Sequence, residues 1–224
     1  MPDNDRMLLL GFHPEDLRVI LARNNPDDAR HVVVIIPGIG RSLDEHTGQA
    51  EDLYRKVAAG PDDDSVSVIT WADYVAPESA REARDPAFAV PAAPRLASFL
   101  AGLRVTAKQF GRHKKAARIV VVARGYGGLV AGLTGRDHGL DADALVFLGC
   151  AAAGVETASE LRIGGPVYAT PSDAGDGTPL GIHGPRPDSP AFGAQPLRPG
   201  PLSFRSDPFV RYLPSLRRII LDKA

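Results

Sequence analysis

The sequence predicts an α/β protein with a mostly parallel central sheet, helices on both faces and an antiparallel hairpin at the N-terminal end. Three observations carry this. From residue 31 onward, β-branched apolar runs alternate with segments of helical apolar spacing, the order of repeated strand–helix–strand units. The run His31–Ile36 (HVVVII) is continuously apolar after its first residue, as a strand covered on both faces should be. Ahead of it stand two short apolar runs, Met7–Leu10 and Leu17–Ala22, divided by GFHPED, which read as paired strands.

The elements follow in order. Asn24–Arg30 (NNPDDAR) is a polar turn, and Pro37-Gly38-Ile39-Gly40 a tight one. Ser42 with Glu45 forms a capping box for a helix that carries Ala50, Leu53, Tyr54 and Val57 and ends at Gly60-Pro61. Asp62–Asp64 reads as a solvated loop, since three adjacent carboxylates do not converge easily on a metal. Val66–Thr70 is a strand, and Trp71–Pro91 an irregular, proline-bearing loop.

Leu96, Phe99, Leu100, Leu103, Ala107 and Phe110 give one apolar helix face, closed by Gly111. Ile119–Val122 is a strand, Gly127–Thr134 a helix, Ala144–Leu148 a strand, Val155–Leu161 a short helix and Val167–Thr170 the last strand. Residues 171–209 are rich in Pro, Gly and Ser and read as one long loop over a pocket. Pro214–Leu221 closes the chain as a helix, and residues 1–224 read as a single domain with no internal repeat.

Composition bounds the function. A formal net charge of −1 over 224 residues gives no bias toward nucleic acid or an anionic membrane surface. Cys150 is the only cysteine, so there is no intrachain disulfide, and a reducing compartment fits. The N-terminal stretch MPDNDRMLLLGF is too charged for a signal peptide, and no apolar run approaches a membrane span. The expectation is a cytoplasmic protein with a small-molecule ligand or substrate, no cofactor and no metal. His13, His31, His46, His113 and His138 show no metal-ligand spacing. The glycine-rich turns match neither G-x-G-x-x-G nor G-K-[ST].

A series of segments adds to this reading: VVVIIPGIG at 32–40, WADYVAP at 71–77, VVARGYGGLVAGL at 121–133, LGCAAAGVETASEL at 148–161, HGPRPDSPAFGA at 183–194 and RSDPFVRYLPSLRRII at 205–220. In order and across nearly the whole chain, the series resembles an actinobacterial family of α/β hydrolases with a G-H-S-Y-G nucleophile elbow. That resemblance implies the α/β-hydrolase fold. It also implies a Ser-His-Asp site, and there this chain departs. The elbow reads Ala123-Arg124-Gly125-Tyr126-Gly127, so Gly125 stands at the nucleophile position. The position resembling the catalytic histidine holds Arg205, and the acid corresponds to Asp173, with Asp176 as a second candidate. By the same resemblance, backbone oxyanion donors fall at Tyr126 and at Ile39 or Gly40.

Gly125 has no hydroxyl, and an arginine cannot act as a general base near neutral pH. Ser-His-Asp hydrolysis is therefore not expected. Backbone donors survive the loss of side chains, so a pocket for an enolate, carboxylate or phenolate can persist; the alternative is that Gly125 only fills a turn needing an unusual backbone angle. Arg124 and Arg205 are candidates for an anionic ligand, against Arg205 pairing with Asp173 and Arg124 packing on its neighbours. His183 is the best remaining acid or base, Tyr126 a further catalytic candidate, and Trp71 and Tyr74 candidate ligand contacts. Cys150 reads as a small core residue rather than a nucleophile. Three functions stay open, the first two a non-hydrolytic cyclase, lyase or isomerase of secondary metabolism and a pseudohydrolase that binds a ligand or a partner protein. A weak hydrolase using activated water is a third.

Overall fold

The computed structural model describes residues 7–40, 43–58, 66–110, 116–172, 178–200 and 208–222. The expected hairpin is present: β1 (Met7–His13) and β2 (Arg18–Arg23) pair antiparallel, with an irregularity between Leu9 and Gly11. Then come β3 (His31–Ile36), β4 (Val66–Ala72), β5 (Arg118–Arg124), β6 (Ala144–Leu148), β7 (Val167–Ala169) and β8 (Gln195–Pro196). They form one sheet in the order β1-β2-β4-β3-β5-β6-β7-β8. β2 meets β4 antiparallel, and each pair beyond it is parallel.

The helices α1 (Leu43–Val57), α2 (Ala92–Phe110), α3 (Gly127–Asp137) and α4 (Pro208–Leu221) cover both faces. Side chains alternate along a strand, and β5 shows the consequence. Ile119, Val121 and Ala123 enter the core shared with α2 and α3, whereas Val120 and Val122 enter the core shared with α1 and α4. An unbroken apolar run is what such two-sided burial requires. Helix α2 supplies Leu96, Leu100, Leu103 and Ala107 to the first core, and α4 supplies Phe209, Tyr212, Leu216 and Ile220 to the second.

Helix α3 sits unusually close to its neighbours because its contacting positions are glycines. A Cβ on Gly132 would lie 1.7 Å from the Ala153 carbonyl oxygen, one on Gly128 2.7 Å from Cys150 Sγ, and one on Gly127 2.6 Å from the carbonyl oxygens of Ile36 and Pro37.

Four expectations need correction. Trp71 and Ala72 belong to β4 rather than to the following loop, whose expected end at Pro91 agrees with the start of α2 at Ala92. Val155–Leu161 is not a helix but holds one 3-10 turn, Ala158–Glu160. The Ala158 N–H is drawn off to the Phe192 carbonyl (2.7 Å), outside the segment. The stretch 171–209 is no structureless loop: it holds β8, and the Leu197 N–H bonds the Ala169 carbonyl (2.9 Å). Helix α4 begins at Pro208 and carries Pro214 inside it. A proline N–H is missing from any helix ladder, and here the strand exit braces the helix at that point, with Ser215 Oγ donating to Arg198 O (2.8 Å) and Gly200 N–H to Arg211 O (2.8 Å). Ser42, Asp62–Asp64, Asp173, Asp176 and Arg205 lie outside the described residues.

Candidate functional site

Strand β5 ends at Arg124 and α3 begins at Gly127, so Gly125 and Tyr126 make the whole turn. Gly125 has φ +46°, in the left-handed region. A side chain at such a corner stands off the C-terminal edge of the sheet, which is how an elbow presents a nucleophile. At Gly125 nothing projects, and glycine adopts the angle without the cost of roughly 1–2 kcal/mol borne by other L-residues.

Three polar groups around this turn, the Tyr126 phenol, His183 Nε2 and the Gly40 amide, are committed to main-chain partners. The Tyr126 hydroxyl donates to the Asp85 carbonyl (2.6 Å), and the ring is fully buried. Burial, with Asp85 nearby adding to it, pushes this phenol well above its ordinary value, so it holds its proton. The His183 ring packs edge-on to Tyr126, with centroids 6.2 Å apart. Its Nε2 lies 2.8 Å from the Ala83 carbonyl, which can only accept, so Nε2 carries the proton. The His183 carbonyl accepts from the Gly154 N–H (3.0 Å).

The segment that receives these bonds follows β4. It runs through two 3-10 turns, Glu82–Arg84 and Pro86–Phe88, with Ala83 and Ala89 fully buried. Asp85 caps the second turn by accepting from Ala87 N–H (2.9 Å). The same segment reaches β3's end: Gly40 N–H donates to Pro77 O (2.8 Å), and Tyr74 Oη donates to Pro37 O (2.6 Å). The Gly40 amide, expected as an oxyanion donor, is thus already engaged; Ile39 is buried beside it. Tyr74 stacks on Trp71, centroids 6.2 Å apart, and Trp71 has no exposed surface. Both rings, expected against a ligand, pack in the core.

Arg124 lies on the α4 face of the sheet, and its guanidinium sits 4.9 Å from the centre of the Phe209 ring. That contact is the packing alternative weighed for it. Cys150 is buried and its Sγ donates to Ala123 O (3.2 Å), as a core residue does. The structure brings Gly125, Tyr126 and His183 together. It adds partners that sequence reasoning missed, the carbonyls of Pro77, Ala83 and Asp85. The one signal for them was Asp85-Pro86, a turn-forming pair.

The mostly parallel sheet with its N-terminal hairpin agrees with a family comparison. A family model described as "Alpha/beta hydrolase" matches residues 14–176. The chain belongs to the α/β-hydrolase family. Among curated proteins it is similar to the uncharacterized protein Rv2079 of Mycobacterium tuberculosis, 30% identical over 143 residues, 59% of this chain. The match spans only 21% of that relative's length. Solved structures similar to this α/β hydrolase include an arylesterase (TM-score 0.44, 14% identity, 74% of this chain and 66% of that one). A dienelactone hydrolase from Anabaena variabilis ATCC 29413 gives a TM-score of 0.43 at 13% identity, covering 74% of this chain and 71% of that one. Among the described residues, no helix is long and apolar enough to cross a membrane.

Proposed function

We propose that this α/β hydrolase does not hydrolyse: it is a pseudohydrolase that holds a small molecule without Ser-His-Asp chemistry. The observation that carries this reading is Gly125 at φ +46° in the corner between β5 and α3. Triad hydrolysis needs a hydroxyl there, a base to take its proton and a carboxylate to orient the base. The corner supplies no hydroxyl, and the position resembling the base is Arg205.

The pinned segment over the corner favours the pseudohydrolase over a cyclase, lyase or isomerase. Those chemistries need free donors or a free acid–base pair in an open pocket. Here the Gly40 amide, the Tyr126 phenol and His183 Nε2 are each spent on a carbonyl of residues 77–85. The buried free thiol of Cys150 suits a cytoplasmic setting.

The test is reconstruction. Wild type and Gly125→Ser are expected to leave p-nitrophenyl butyrate untouched, because a serine without a base stays protonated. Gly125→Ser with Arg205→His is expected to give weak turnover. Circular dichroism first establishes that each variant is folded. Turnover by wild type overturns the proposal. Equal turnover by the single and double variants overturns the assignment of position 205 as the base, and His183 becomes the first residue to test.

A further inference from the structure

Arg118 opens β5 and Arg124 closes it, six residues on and about 20 Å away at a strand's rise. Around Arg118, on the α4 face and toward the opposite sheet edge from Gly125, lies a cleft of about 620 Å³. Its walls come from β7, β8 and the last turns of α4, and include Arg118, Tyr168, Arg198, Ser215, Arg218 and Asp222. The lining thus holds three arginines and one acidic residue.

Arg118 is accounted for. Its Nε donates to Ile219 O (3.0 Å), and its Nη1 pairs with Asp222 (3.2 Å). Arg198 and Arg218 are different: among the described residues neither guanidinium has a hydrogen-bond or ion-pair partner. The helix macrodipole gives a reason for Arg218, which sits in the last turn of α4. It gives none for Arg198, which enters from the exit of β8 and is held there by Ser215 Oγ donating to its carbonyl (2.8 Å). Two unpaired like charges from different elements repel across a concavity unless an anion lies between them.

We propose that this cleft binds a small ligand bearing a doubly charged oxyanion, a phosphate monoester or a dicarboxylate, held between Arg198 and Arg218. Planar guanidinium forks take such oxygens in pairs, as a lysine cannot. The half-buried Tyr168 and the buried Leu197 offer an organic body something to pack on, and the volume is that of a metabolite site. The proposal is independent of the reading of Gly125, since no group at that corner takes part.

The experiment is calorimetric titration of the full chain with inorganic phosphate, with succinate and with chloride at matched ionic strength. Saturable one-to-one binding of phosphate or succinate is expected, with a Kd of about 1 mM or tighter, and the tighter anion names the class. Arg198→Ala with Arg218→Ala should weaken it by about tenfold or more, the paired lysine substitutions should not restore it, and Arg30→Ala should leave it unchanged. Both arginines are exposed, so these variants keep the fold, which circular dichroism verifies. No saturable binding of either anion, or equal binding by the double alanine variant, overturns the proposal.

Discussion

The two ends of β5 differ in kind. At its C-terminal end, Tyr126, His183 and the Gly40 amide turn inward onto main-chain carbonyls. At its N-terminal end, Arg198 and Arg218 face an open cleft with no partner among the described residues. In one place the phenol, the imidazole Nε2 and the Gly40 amide have structural duties; in the other, charge is held ready without one. A fold's inherited corner and its available chemistry therefore need not coincide.

The largest effect should come from the helix beneath the corner. Gly132→Ala places a methyl against the Ala153 carbonyl, where no side-chain hop relieves the contact, and should cost about 3 kcal/mol or more. Gly48→Ala, in α1 with open space around it, should instead stabilise by about 0.5–1 kcal/mol. Denaturant melts of both variants measure the contrast. If Gly132→Ala melts like wild type, the close seating of α3 is wrong.

Next come the fastenings of the 82–89 segment. Tyr126→Phe and His183→Ala should each cost about 1 kcal/mol. They should also raise hydrogen exchange at residues 82–89 while leaving exchange near Arg198 alone. Unchanged exchange there in both variants contradicts the pinning.

Tyr126 has a pH signature too. Its folded phenol keeps its proton, while the unfolded chain releases one near the ordinary value of about 10. The contribution is thus whole below pH about 10 and is lost as pH rises above it. Wild type should lose stability over that range faster than Tyr126→Phe.

The other face should respond less. Arg124→Ala loses its stacking on Phe209 and should cost about 0.5–1 kcal/mol. Arg198→Ala should change stability by less than about 0.5 kcal/mol, as an exposed side chain with no polar partner among the described residues does. A large loss at Arg198 would mean that it serves the fold and not a ligand.

What the sequence made legible follows the physics of each part. β3 and β6 could be placed to the residue because a strand buried on both faces must be an unbroken apolar run. β8 could not, because Gln195-Pro196 is exposed and pairs by register alone. Pro214 looked like a helix start, yet α4 begins at Pro208 and runs through it, with residues 198–200 hydrogen-bonded alongside. At the site, Gly125, Tyr126 and His183 were readable as residue types. Their partners were not, since the carbonyls of Pro77, Ala83 and Asp85 have no side-chain signature. The Arg198–Arg218 cleft was invisible because its walls come from segments as far apart in sequence as Arg118 and Asp222 and meet only in the folded chain.

The central claim, that the corner at Gly125 carries no hydrolytic nucleophile, has one direct test. The wild-type protein is incubated with an excess of a fluorophosphonate and its intact mass recorded. The account predicts an unchanged mass. A stoichiometric single adduct, mapped to any serine, would contradict it.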